Sequence, residues 1–117
     1  MDTPAPVSVI NYEDFAKVLL RVATIVEAAP IEKSKKLIRL QIDLGTERRQ
    51  ILAGIKEHYS AEQLVGKQII VVANLAPREV IKGEVSNGML LAASDPTTGK
   101  VIVLSPSEPV SPGSKVS

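Results

Sequence analysis

Leu37-Ile38-Arg39-Leu40-Gln41-Ile42-Asp43-Leu44 alternates without a break, with Ile38, Leu40, Ile42 and Leu44 on one side and Arg39, Gln41 and Asp43 on the other. Side chains of an extended chain point alternately to opposite faces, so this period predicts a strand with one face in a core and the other in solvent. Gly45-Thr46 can turn the chain, and Arg48 to Ala53 offers an antiparallel partner that stops before Gly54. The segment reads as a hairpin of a half-buried sheet.

Towards the N-terminus, Leu19 to Ala28 is rich in β-branched and apolar residues and runs into Pro30, as expected of a strand ending in a loop. Before it, Asn11 can cap a helix through Lys17 of at most two turns, with Glu13 and Asp14 in the first turn, where acids are favoured. Towards the C-terminus, Ser60-Ala61-Glu62-Gln63 has the capping-box form, with Tyr59 and Leu64 placed as a hydrophobic staple, and Gly66 ends the helix early. Lys67 to Ala73 reads as a buried strand, broken at Ala76-Pro77-Arg78. Met89 to Ala93 reads as another, and Val101 to Leu104 follows the turn Asp95-Pro96-Thr97-Thr98-Gly99. Residues 1–9 and 106–117 are Pro-rich and expected to be irregular. The order is mainly β: three strands, a short helix, two strands and an extra C-terminal strand, preceded by a short N-terminal helix. It predicts a five-stranded barrel of the oligonucleotide-binding (OB) fold, one domain over residues 1–117, whose second and third strands and nearby loops form the ligand face.

At 117 residues there is room for one core. The apolar share of 44% and charged share of 23% are those of a globular chain. There is no cysteine, which excludes disulfides, thiolate metal sites and cysteine nucleophiles. Met1-Asp2-Thr3-Pro4-Ala5-Pro6 places an acid and two prolines where a secretory signal needs cations and an apolar run, so a cytoplasmic protein is expected. The longest apolar runs, Ile69 to Ala73 and Met89 to Ala93, have five residues each. About twenty are needed to cross a bilayer, so no membrane span is expected. No metal-ligand cluster, cofactor motif or catalytic constellation appears. The lone histidine, His58, lacks a neighbouring nucleophile or carboxylate pair and is read as a solvent-exposed or internally satisfied residue.

The net charge is only +1, yet six cations (Lys33, Lys35, Lys36, Arg39, Arg48, Arg49) lie between residues 33 and 49 against two acids, a local +4 that leaves −3 elsewhere. Such asymmetry predicts one basic face. The three aromatics, Tyr12, Phe15 and Tyr59, all lie outside the ligand-face strands. Generic single-strand binders use aromatic platforms for stacking, so this distribution favours a folded RNA as ligand.

Several blocks, in order, resemble the tRNA-binding domain family: Phe15-Ala16-Lys17-Val18 with Leu20-Arg21-Val22-Ala23, Lys36-Leu37-Ile38-Arg39-Leu40, Asp43-Leu44-Gly45, Arg49-Gln50-Ile51 with Gly54-Ile55, Leu64-Val65-Gly66, Ala73-Asn74-Leu75-Ala76-Pro77-Arg78, and Ser86-Asn87-Gly88-Met89. The family comprises a domain or small subunit of methionyl-tRNA synthetases, standalone dimeric tRNA-binding proteins, a secretion-chaperone-like branch and a tyrosyl-tRNA synthetase appendage. The resemblance covers about Ile10 to Val116. It implies a non-catalytic module that binds tRNA by shape and charge, dimerises through its termini and serves a methionyl-tRNA synthetase catalytic subunit; the alternative it carries is a chaperone-like dimer that binds polypeptides. Three positions depart from the family pattern: Glu79 stands where lysine is common, Lys82 where arginine is common, and Ala53 where serine is frequent.

The RNA-binding set expected from residues and resemblance together is Lys33, Lys35, Lys36, Arg39, Arg49, Asn74, Arg78, Lys82, Ser86 and Met89. The lysines and Arg39 suit phosphates, whose neutralisation with ion release dominates nucleic-acid affinity. Arg49 and Arg78 can fork onto phosphate oxygens, although Arg49 could equally pair with Asp43 or Glu47. Ser86, Met89 and Asn74 suit unstacked bases or turns of the chain itself.

Overall fold

The computed structural model describes residues 8–117. The elements, in order, are α1 (Tyr12–Ala16), β1 (Leu20–Pro30), β2 (Ile38–Asp43), β3 (Arg48–Ala53), α2 (Ala61–Leu64), β4 (Gln68–Val72), β5 (Arg78–Ile81), β6 (Glu84–Ser86), β7 (Met89–Leu90), β8 (Ala92–Ser94), β9 (Val101–Val103) and β10 (Lys115–Val116). The main sheet runs β3-β2-β1-β4-β7, with β10 also on β1. This is the five-stranded, curled sheet of an OB-like barrel, with its helix between β3 and β4 as expected.

The predicted hairpin is present in register, Ile38 opposite Ala53 and Asp43 opposite Arg48. Its alternation is also as read: Ile38, Leu40, Ile42 and Leu44 are buried. They join Ala23, Ile25, Ile51, Ile55, Leu64, Ile69, Val71 and Val103 in one core. β1 is long enough to serve two partners. Leu20–Thr24 pairs with β4, Thr24–Pro30 pairs with β2, and the register to β2 slips between Ile25 and Glu27. A bulge of this kind bends a strand and raises its twist, which is what curls the sheet.

The barrel closes where the chain passes from the free edge of β3 to β4. The Asn87 N–H donates to the Gln50 carbonyl at 2.9 Å. The Ser86 hydroxyl accepts from the Leu52 N–H at 2.9 Å and donates to the Gly88 carbonyl at 2.8 Å. β7 then pairs with β4, Met89 opposite Val72. Gly88 sits at this crossing with φ +130°, and a Cβ there would stand 3.2 Å from the Val72 carbonyl oxygen and 3.3 Å from Ile51. Glycine is required by both conformation and space.

Three differences from the sequence expectation have clear physical causes. Met89 to Ala93 is two strands, because the chain changes partner at Leu91, whose N–H donates to Ile70 while its carbonyl accepts from Leu104. Ala92–Ser94 then pairs with β9 in a separate small sheet. Beyond Pro77, where the sequence shows only a break, the chain forms the β5–β6 hairpin, which lies on the outside of the barrel and so lacks a buried alternation. The C-terminal segment, expected to be irregular, fastens along β1. Gly113 N–H donates to Val22 O at 2.7 Å, Val22 N–H to Ser114 O at 2.9 Å, and Lys115 and Val116 pair with Arg21 and Leu20. Most of the Pro-rich N-terminal segment lies outside the described residues. No helix among the described residues is long and apolar enough to cross a membrane.

Both helix starts follow their caps. The Asp14 carboxylate accepts from the Asn11 N–H at 3.4 Å, and Ser60 and Gln63 exchange backbone-to-side-chain bonds at 2.8 and 3.3 Å. Tyr59 packs on the core and its hydroxyl accepts from the Val103 N–H at 3.2 Å. α1 buries none of its residues.

Candidate nucleic-acid interface

On the outer face of the β2–β3 hairpin the register sets Arg39 opposite Leu52, Gln41 opposite Gln50 and Asp43 opposite Arg48. The β5–β6 hairpin is tied to this face and to the free edge of β3. Arg39 donates from Nε and Nη2 to the two carboxylate oxygens of Glu84 at 3.0 and 2.7 Å, a two-point pair. Gln50 reaches the Val85 carbonyl at 3.0 Å, and Gln41 donates to Gln50 at 3.1 Å. The Arg39 guanidinium holds the Glu84 carboxyl below its usual pKa, so it is charged at neutral pH.

The loop that precedes β2 is built to present lysines. The Ser34 hydroxyl accepts from the N–H groups of Lys36 and Leu37 at 3.2 and 3.1 Å. Beneath it Lys56, which the sequence reading passed over, donates its ammonium to the carbonyls of Ile31 and Ser34 at 2.9 and 2.8 Å. Lys35 and Lys36 are left exposed above the loop. Lys33 leans the other way and donates to the Lys82 carbonyl at 2.5 Å. The loop and the tip of the β5–β6 hairpin therefore meet, and Lys33, Lys35, Lys36, Arg39 and Lys82 belong to one end of one face. Two acids other than Glu84, Glu32 and Glu79, are exposed in the same loop and hairpin.

Beside this cationic end lies a groove of about 510 Å³, lined by Leu37, Leu52, Leu75, Val80 and Met89 among others, with Arg78 as its one charged wall residue. Met89 is 46% exposed there. Pro77 fixes the backbone before Arg78, whose partner in the hairpin register is Ser86.

The remaining three candidates sit differently. Arg49 lies opposite Ile42, on the inward side of the hairpin, and closes the far end of the barrel: its guanidinium pairs with Glu47 and donates to the Ala73 carbonyl. The side chain points away from the face that carries Arg39. Asn74 bridges α1 to the barrel, accepting from the Leu19 N–H at 2.8 Å and donating to the Lys17 carbonyl at 2.6 Å. Ser86 is 7% exposed and both its hydrogen bonds are internal.

With this geometry in view, residues 20–115 match the family described as "Putative tRNA binding domain". The chain belongs to the tRNA-binding domain family. Among curated relatives, the methionine–tRNA ligase of Thermotoga maritima is 52% identical over 108 residues, which is 92% of this chain and 17% of the ligase. That of Parabacteroides distasonis is 47% identical over 107 residues, 92% of this chain and 16% of the ligase. This tRNA-binding domain thus spans less than a fifth of the length of the ligases it matches. Among solved structures, a MetRS-related protein from Pyrococcus horikoshii superposes with a TM-score of 0.86 at 35% identity, covering 94% of this chain and 99% of that one. The chaperone CsaA of Bacillus anthracis superposes with a TM-score of 0.82 at 33% identity, covering 94% of this chain and 100% of that one.

Proposed function

We propose that this tRNA-binding domain is a non-catalytic module that raises the affinity of methionyl-tRNA synthetase for tRNA, as a domain or small subunit of that enzyme, and that it acts as a homodimer in the cytoplasm. The observation that carries the proposal is the 52% identity spread over 92% of this chain but confined to 17% of the ligase, so the aminoacylation chemistry belongs to sequence outside the match. The contacts assigned to tRNA are Lys33, Lys35, Lys36, Arg39 and Lys82 on phosphates, with Arg78 and Met89 at the apolar groove taking a base or the ribose face. Arg49, Asn74 and Ser86 instead hold the barrel and α1 together through the internal partners described above.

The test is a tRNA dissociation constant measured across a salt series, with unfolded RNA and single-stranded DNA as competitors. Binding that prefers folded tRNA and weakens linearly in log–log form is expected. Replacing Lys35 and Lys36 together by alanine should flatten that slope by about 1 to 2, since each phosphate contact contributes roughly 0.7 to 0.9. No affinity at low salt sinks the proposal. One observation favours a second reading, a chaperone-like dimer: the mostly apolar groove could seat an extended peptide. Preparations free of material absorbing at 260 nm that suppress client aggregation would support it instead.

A further inference from the structure

The cationic end of the face contains an acid at its centre. Glu84 pairs with Arg39 and lies close enough to feel the charge of Lys33, where simple charge counting makes it a defect in a phosphate-binding surface. Its geometry argues otherwise. The β5–β6 hairpin projects from the barrel as a separate two-stranded sheet. Its base is held at Ser86, Asn87 and the Val85 carbonyl. Towards its tip, the ties to the barrel and the lysine loop are the two-point Arg39–Glu84 pair and the Lys33–Lys82 bond. The side chains of that pair are mostly shielded, 34% and 16% exposed. Only Arg39 Nη1 is left without a partner among the described residues, so one guanidinium edge is committed to the hairpin while the other stays available.

We propose that Glu84 is a positioning residue for RNA binding: its bidentate pair with Arg39 clamps the β5–β6 hairpin against the lysine loop and fixes Arg39, Lys33 and Lys82 as a single preorganised phosphate-binding array. The inference rests on the tRNA reading above and deepens it. Ordering long cationic side chains before RNA arrives removes an entropic penalty that would otherwise fall on the binding step. Glu79, on the same hairpin but exposed and without an ion-pair partner among the described residues, provides the internal control.

The two views of Glu84 differ in sign. Glu84→Gln removes one negative charge, so charge counting alone predicts tighter tRNA binding. A clamp predicts weaker binding, by about tenfold, with the salt slope flattened by roughly one phosphate contact. Glu84→Asp, which keeps the charge but shortens the reach, should fall between wild type and Glu84→Gln. Glu79→Gln should bind as wild type or more tightly. All four proteins are compared by tRNA titration at several salt concentrations, with thermal unfolding run alongside to show that the barrel is folded. If Glu84→Gln fails to fold, the Glu84→Asp titration decides: charge counting predicts no change, whereas the clamp predicts weaker binding. A folded Glu84→Gln protein that binds tRNA as well as wild type or better overturns the clamp alone. Wild-type protein that does not bind tRNA overturns the reading beneath it.

Discussion

The Ser86 hydroxyl stands where the backbone of another strand would otherwise pair with β3. It accepts a hydrogen bond from the Leu52 N–H that the sheet leaves free and donates one to the Gly88 carbonyl. Ser86→Ala strands a buried donor and breaks two hydrogen bonds, which together amount to about 2 kcal/mol. Urea unfolding should show that loss, while the tRNA affinity of the protein that remains folded changes less than tenfold. From sequence, Ser86 and Asn74 were legible as polar residues in family-like blocks, and that is all a block can say. Whether a hydroxyl or amide faces RNA or the chain itself depends on which backbone groups the closing barrel leaves unpaired, a property of distant strands. Arg49 shows the opposite case: its rivalry between phosphate and Glu47 was visible, and counting the hairpin register from Gly45 puts it on the inward side beside Ile42.

At the scale of elements, β2 and β3 were readable because a half-buried strand writes its environment into every second residue. The β5–β6 hairpin was not, since it packs on the outside of a barrel and buries almost nothing, with a burial pattern that carries no alternation to detect. Its only local mark is Lys82-Gly83 between Val80-Ile81 and Glu84-Val85, with Gly83 at φ +85° in the turn. The hairpin should also be the acid-sensitive element. Glu84 has a pKa lowered in the folded protein, chiefly by its hydrogen bond to Arg39, so the tether is complete above the ordinary carboxylate range and is lost as pH falls through the depressed folded value. The protection of amides of residues 79–85, relative to the intrinsic exchange rate at each pH, should fall as pH drops below the ordinary carboxylate range, and in Glu84→Gln that step should be absent. Asp95, lowered by the Thr97 N–H and the Thr98 hydroxyl, acts in the same direction on the β8–β9 turn. Residue-resolved exchange keeps the two apart.

For the whole molecule, a single apolar interior explains why strand order could be read through composition and turn signals, whereas the surfaces between copies could not. Val9, Ile10, Tyr12, Phe15 and Val18 are exposed on and around α1, with Val9 at 96%. A helix that buries nothing of its own is the surface expected to mediate the proposed homodimer. Sedimentation equilibrium at micromolar concentration should give twice the 12.5 kDa chain mass, and Tyr12→Glu with Phe15→Glu should halve it. A monomer in the wild type would remove dimerisation from the proposal and leave the RNA face intact.

The C-terminal segment also sets a timetable. Leu20 to Val22 near the start of the chain take their second set of backbone partners from Gly113 to Val116 at its other end, and Gly113 adopts φ +88° where a side chain would run into the Leu44 carbonyl. Such long separations make closure slow relative to local structure. Until that segment docks, local hairpins such as β2–β3 can assemble while β1 still carries an unpaired edge. That edge invites mispairing with a neighbouring chain, and Gly113 to Val116 are the residues that cover it.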